Sequence, residues 1–324
     1  MKLLTYWFVT LLLMTVVACD TVRVGGGGNT PIDPPGGTFQ LTDGVVVGPD
    51  GGTLYVLTVE RALAAIDGQR GNARWTRDLP LRPITLVADG LITQSLEPGT
   101  DEPLTLVTVA ASDGREVNRA SVTLPPDLTV DYLRDHPGTF TLSPFGGTAT
   151  PSVAWLYRPL PRKGAYDPGE EEEIFNGTFR ITDGGAGFLP VSADAPGERA
   201  GRSVVPPAAQ RIAGREGQQY LSRDGRHLLV SQKRSADDPA TAYRWEIYRS
   251  GEAEPLGQLS SRMAYLPFYV RDGILYFVEG PYQDFREGNT TTTPYQLVAY
   301  DLPSGRRRWT RALQDPIYRG PRPS

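Results

Sequence analysis

The sequence predicts an all-β protein built from repeated antiparallel sheets, and three observations predict it. Leu63–Leu79 aligns without a gap to Leu297–Leu313, with identity at nine of the seventeen positions. An Asp-Gly pair stands before an apolar strand at Asp50-Gly51, Asp89-Gly90, Asp224-Gly225 and Asp272-Gly273. Helical periodicity is nearly absent: only Val59–Ile66 fits a short helix, and its counterpart near Leu297 reads as strand.

The chain opens on a leader. Lys2 supplies a positive charge, Leu3 to Val17 is apolar apart from three threonines, and Val16-Val17-Ala18 precedes Cys19, the only cysteine. That layout is a secretory signal, because the run is shorter than the roughly 20 residues a membrane span needs. It resembles the lipobox of bacterial lipoproteins. The resemblance implies cleavage after Ala18, acylation of Cys19 and an exported protein held in the cell envelope, on the periplasmic or outer face of a membrane. Acyl chains contribute roughly 0.8 kcal/mol per buried CH₂, so two or three of them anchor firmly.

From the lipidated Cys19 to residue 38 the chain holds Gly25–Gly28, Pro31, Pro34 and Pro35, which cannot build a core. This stretch is expected to be a flexible tether of ~25 Å reach. Residues 39–324 form the folded body. With Cys19 consumed by lipid, no disulfide is available to hold that body together. A formal net charge of −4 argues against nucleic acid as a partner.

Each repeat reads as a strand ending in Asp, a turn closing on Gly, and a strand carrying Trp. Asp67, Gly71 and Trp75 match Asp301, Gly305 and Trp309. Within Leu106–Leu124 the pattern weakens: Ala110 replaces the Asp and Asn118 the Trp, while Gly114 stays. These units resemble the quinoprotein-type (PQQ-like) β-propeller repeat. The resemblance implies four-stranded antiparallel blades, with each Trp packed between neighbours. Apolar strands near Tyr55, Ile92, Ala154, Leu229 and Tyr276 mark five blades. The wide gap after Ala154 has room for a sixth around Phe188–Val191, so six are favoured, with five to seven allowed. Prolines in that gap point to loops or edge strands. Val45–Val47 precedes the first blade and is expected to complete the last one, near Trp309.

Residues suited to chemistry are scarce. His136 lies in a turn and His227 in a strand, and neither accompanies a metal motif or a nucleophile elbow. Glu170–Glu173 read as a solvated run rather than a calcium loop. The quinone cofactor is not expected, since the related dehydrogenases hold it with calcium and usually a vicinal cysteine pair. No catalytic residue and no metal ligand are assigned. The aromatic cluster from Tyr265 to Phe277 is expected in the core. Tyr282, Phe285 and Arg286, in a connecting loop made polar by Thr290–Thr293, are the candidate partner surface. Arg306–Arg308 and Arg311 read as solvated or salt-bridged.

The expected function is a lipid-anchored, non-catalytic binding module, either monomeric or within a hetero-complex. Its lipobox, tether and repeat type are similar to those of the propeller lipoproteins of outer-membrane β-barrel assembly. Two alternatives stand beside it: a divergent quinoprotein or carbohydrate-active surface enzyme, and a glycan- or surface-layer-binding protein.

Overall fold

The computed structural model describes residues 38–96, 104–121, 140–145, 152–157, 175–182, 187–191, 216–235, 237, 239–286 and 289–315. Cys19 and its tether, His136 and Glu170–Glu173 lie outside them. The described residues form strands, turns and one 3₁₀ turn at Pro239–Thr241, with no α-helix. Val59–Ile66 is no exception, for Leu63 to Ile66 are strand.

Strands follow one another as antiparallel meanders. The first sheet is β1 (Phe39–Thr42), β2 (Val45–Val47), β3 (Thr53–Leu57), β4 (Leu63–Asp67) and β5 (Ala73–Arg77). The second is β6 (Leu81–Val87), β7 (Gly90–Ser95), β8 (Thr105–Ala110) and β9 (Glu116–Ser121). The third comprises β10 (Phe140–Phe145), β11 (Ser152–Tyr157), β12 (Phe175–Thr182) and β13 (Gly187–Val191). β14 (Gln218–Leu221), β15 (His227–Lys233), β16 (Tyr243–Arg249) and β17 (Pro255–Ser261) make the fourth. The fifth pairs β18 (Phe268–Arg271), β19 (Ile274–Glu279), β22 (Gln296–Asp301) and β23 (Arg306–Ala312). Between β19 and β22 a two-stranded ribbon is inserted, β20 (Tyr282–Arg286) with β21 (Asn289–Thr293).

Two sequence expectations are corrected here. Phe188–Val191 is no separate unit: it belongs to β13, the outer strand of the third sheet, where Pro190 opposes Phe179. An edge strand tolerates the missing amide of proline, which is why that sequence reads so poorly as strand. The described residues therefore form five main sheets. Nor does Val45–Val47 complete the last sheet. Val46 pairs with Tyr55 inside the first sheet, because the short Gly48–Gly52 turn returns the chain directly onto β3. The fifth sheet is completed by its own β23.

Burial falls across each sheet. All five residues of β3 are buried, whereas β5 is exposed except for half-buried Trp75. Strands covered on both faces read as continuous apolar runs, and outer strands as polar ones. The outer strand of the first, second, fourth and fifth sheets carries an irregular step at one register. Trp75 opposes Ala65 just before it, Asn118 opposes Thr108, Gly257 opposes Ile247 and Trp309 opposes Ala299. The second and fourth sheets thus share the pattern of the two obvious repeats, although the indole is gone.

Both indoles are wedges between sheets. Trp75 Nε1 donates to the carbonyl of Ala111 in the second sheet at 3.0 Å. Trp309 Nε1 donates to Gly68 of the first sheet at 2.8 Å. Ala111 and Gly68 hold the same place, one residue past the third strand of the blade pattern. Each ring also covers a turn glycine: a Cβ on Gly114 would stand 2.6 Å from Trp75, and one on Gly71 would stand 2.6 Å from Trp309. Two residues on, Arg77 Nε donates to Asp113 O at 2.8 Å and Arg311 Nη2 to Gly71 O at 2.9 Å. The two repeats have equivalent surroundings.

The core runs between sheets. Val46, Tyr55 and Leu63 of the first sheet pack with Leu91 and Val107 of the second. Ile92 and Leu106 of the second join Val153 and Phe179 of the third. Trp245 and Ile247 of the fourth meet Phe277 and Val298 of the fifth. Leu54 and Ile66 of the first share a cluster with Tyr276 and Leu297 of the fifth. Thr58 also forms a bridge with Leu313, and Gln314 N donates to Leu57 O at 3.1 Å. The first sheet thus touches both the second and the last. On its inner side, β1 lies against β6 and β10.

Candidate functional site

The ribbon gives the candidate surface its form. Tyr282, Phe285 and Arg286 lie not on a loop but on β20, where they pair with Thr293, Thr290 and Asn289 of β21. The sequence reading took four threonines as loop; a β-branched side chain favours a strand once a partner strand is available. Thr290, Thr291 and Thr292 are exposed. At the ribbon's base the chain crosses itself. Gly280 has φ of +85°, and a Cβ there would stand 2.3 Å from Pro294 O. Only glycine fits such a crossing.

One arginine pins the ribbon to the neighbouring sheet. Arg262, just past β17, pairs with the Asp284 carboxylate, and its guanidinium carbon sits 4.9 Å from the centre of the Tyr282 ring. Stacking on an aromatic face suits the weakly hydrated guanidinium. The turn presenting Arg262 is itself held from below, where buried Trp245 donates its Nε1–H to Met263 O at 2.8 Å. Met263 is 44% exposed beside it. The strand order puts the ribbon, the Arg262–Met263 turn and the β3–β4 turn at one end of their sheets. That last turn carries Val59, which is 50% exposed. Two of the three exposed large hydrophobic residues among the described ones are therefore at this end; Val117, on β9, is the third.

The other constellations resolve into structure. Ser222, Asp224 and His227 do come together, but in the wrong order for a nucleophile. Ser222 Oγ lies 2.5 Å from Asp224 Oδ1, whereas His227 Nδ1 stands 3.9 Å from that same oxygen. The serine proton faces a carboxylate instead of the imidazole that would have to accept it. Ser222 Oγ in turn accepts the His227 amide at 2.9 Å, so the trio shapes the Asp224-Gly225 turn. Burial pushes the Asp224 carboxyl up, but the nearby His227 imidazole and hydrogen bonds from Ser222 and the Arg226 amide outweigh it and hold the group below the usual carboxylate value.

Tyr269, Tyr276, Phe268 and Phe277 are buried as expected, and Tyr265 is half-buried. Arg307 pairs with Glu279 at 2.7 Å and Arg308 with Asp301 at 3.8 Å, while Arg311 reaches Gly71. Among the described residues no three His, Cys, Asp or Glu side chains group closely enough to hold a metal ion.

An opening lies at the junction of the fourth and fifth sheets and was not read from the sequence. It is a cleft of about 280 Å³ lined by Arg234, Arg244, Gln258, Leu259, Ser260 and Tyr300. Arg244 Nη2 reaches Glu246 Oε1 at 2.9 Å and also donates to the Gln258 amide oxygen. The available signal was the missing indole at Gly257, which the weak similarity of the fourth unit concealed.

No family model and no curated protein matches this chain. Among solved structures it is similar to BamB from Moraxella catarrhalis, at 12% identity and a TM-score of 0.25. That alignment covers 81% of this chain, which spans 58% of the length of that one. It is also similar to an uncharacterized protein of Listeria monocytogenes EGD-e, at 11% identity and a TM-score of 0.26, covering 87% of this chain and 85% of that one. Overlaps of that size carry no inference about fold or function, so the architecture rests on the strand pairing above.

Proposed function

We propose that this chain is a lipid-anchored β-propeller, with five blades among the described residues, acting as a non-catalytic docking module in a bacterial cell envelope. Four sheet-to-sheet contacts support the ring: first to second, second to third, fourth to fifth, and fifth back to first. Acylation at Cys19 and the tether rest on the sequence of the leader. Docking rests on the ribbon, an insertion that no other described sheet contains and that Arg262 holds in place. Exposed Met263 and Val59 at the same end give a partner apolar contacts beside a polar rim.

A photo-crosslinking residue placed at Thr291 in cells expressing the chain tests the docking face. One discrete adduct from Thr291, absent when the probe sits at Val117, is expected. Equal adducts from both positions, or none from Thr291, would refute a docking role for the ribbon. Radiolabelled fatty acid should enter the parent chain and not Cys19→Ser; label retained by the variant would refute the anchor.

A further inference from the structure

We propose that the cleft between the fourth and fifth sheets is a binding site for a small oxyanion, a carboxylate or a phosphate. The inference stands apart from the docking reading. At the first and last outer strands an indole fills the junction register and donates to the carbonyl one residue past the neighbouring sheet's third strand. In the fourth sheet Gly257 holds that register, and the equivalent carbonyl belongs to Leu302. A Cβ on Gly257 would stand 2.5 Å from that oxygen, so the backbones meet where a side chain would otherwise insert. No ring fills the junction from β17; Tyr300 reaches across from β22, its hydroxyl donating to Gln258 O at 3.3 Å.

What lines the remaining space lacks any carboxylate and offers donors from two guanidiniums, an amide and the Ser260 hydroxyl, the Tyr300 proton being given to Gln258 O. Arg244 is held in place by Glu246 and Gln258, yet its Nε–H is buried with no acceptor. Glu246 is itself occupied, accepting from the Tyr248 hydroxyl at 2.6 Å. Arg234 is exposed at the rim and makes no ion pair among the described residues. Guanidinium groups with unmet donors match the paired oxygens of carboxylate and phosphate.

The test is thermal unfolding of the full chain titrated with sodium phosphate, and separately with sodium acetate, at ionic strength fixed with sodium chloride. A saturable rise in Tm with at least one anion is expected. Arg234→Gln should weaken the apparent affinity about tenfold, and the doubly substituted R234Q/R244Q chain should show no response. Saturation with phosphate alone assigns a phosphorylated ligand, and with acetate alone a carboxylate. A Tm that follows ionic strength only, or a Arg234→Gln chain that responds like the parent, would overturn the site. Arg234 is exposed, so its replacement leaves the fold intact and keeps the comparison open if the double variant does not fold.

Discussion

Trp309 and Gly71 depend on each other. The glycine has φ of +73°, and any Cβ would stand 2.6 Å from the indole. Gly71→Ala is therefore expected to cost about 1–3 kcal/mol through overpacking and backbone strain, read as a lowered denaturation midpoint. Asp50, in the first Asp-Gly pair, holds its own turn. Its Oδ1 accepts the amides of Gly52 and Thr53, both at 2.9 Å, and its Oδ2 accepts the Thr53 hydroxyl at 2.9 Å. Burial raises this carboxyl, but those bonds outweigh it and leave it below its ordinary value of 3.8. A carboxylate held low in the fold stabilises it fully above the ordinary value, and that stability is lost as pH falls through the folded value. Asp50→Asn should thus be less stable than the parent at neutral pH, with the difference narrowing below about pH 3.8 in acid melts. A constant difference across that range would show that the charge is immaterial.

The ribbon and the outer strands show where sequence legibility ends. The second strands near Tyr55, Ile92, Ala154, Leu229 and Tyr276 were legible because burial on both faces makes their composition apolar. Outer strands were legible only where Trp marked them. β13 was hidden by Pro190, and β17 by Gly257 at the indole register. The ribbon was missed for another reason: Thr290–Thr293 are polar in composition but strand-forming in shape, and only the partner strand β20 decides between the two. At its base the demand is steric. Gly280→Ala would place a Cβ 2.3 Å from Pro294 O, so the ribbon should splay from the fifth sheet. Faster amide exchange across residues 282–293, with 296–312 unchanged, is the expected signature; uniform exchange in both would place the defect in the sheet instead.

Across the whole molecule, the repeat was readable and the seam between the fifth and first sheets was not. Nine identities in seventeen positions pointed to equivalent units, and the two indoles occupy equivalent junctions. The clasp at Val45–Val47 failed because a strand next to a short turn pairs locally before it can pair at a distance. Instead the last sheet meets the first through side chains and loop backbone: Trp309 on Gly68, Tyr269 on Gly51 at 3.2 Å, and the Thr58 bridge to Leu313. Such a seam has no long strand ladder, so it depends heavily on a few groups. Trp309→Ala removes a large partly buried ring and is expected to destabilise by about 3 kcal/mol. Trp309→Phe keeps most of the packing and should cost about 1 kcal/mol for the lost hydrogen bond.

Hydrogen exchange of the full chain carrying Trp309→Ala, followed by mass spectrometry, bears most directly on the proposed ring. A seam between the last and first sheets requires amides of residues 53–77 to exchange faster along with those of 296–312, while residues 152–157 of the third sheet change least. Acceleration confined to 296–312, with the first sheet as protected as in the parent, would contradict closure.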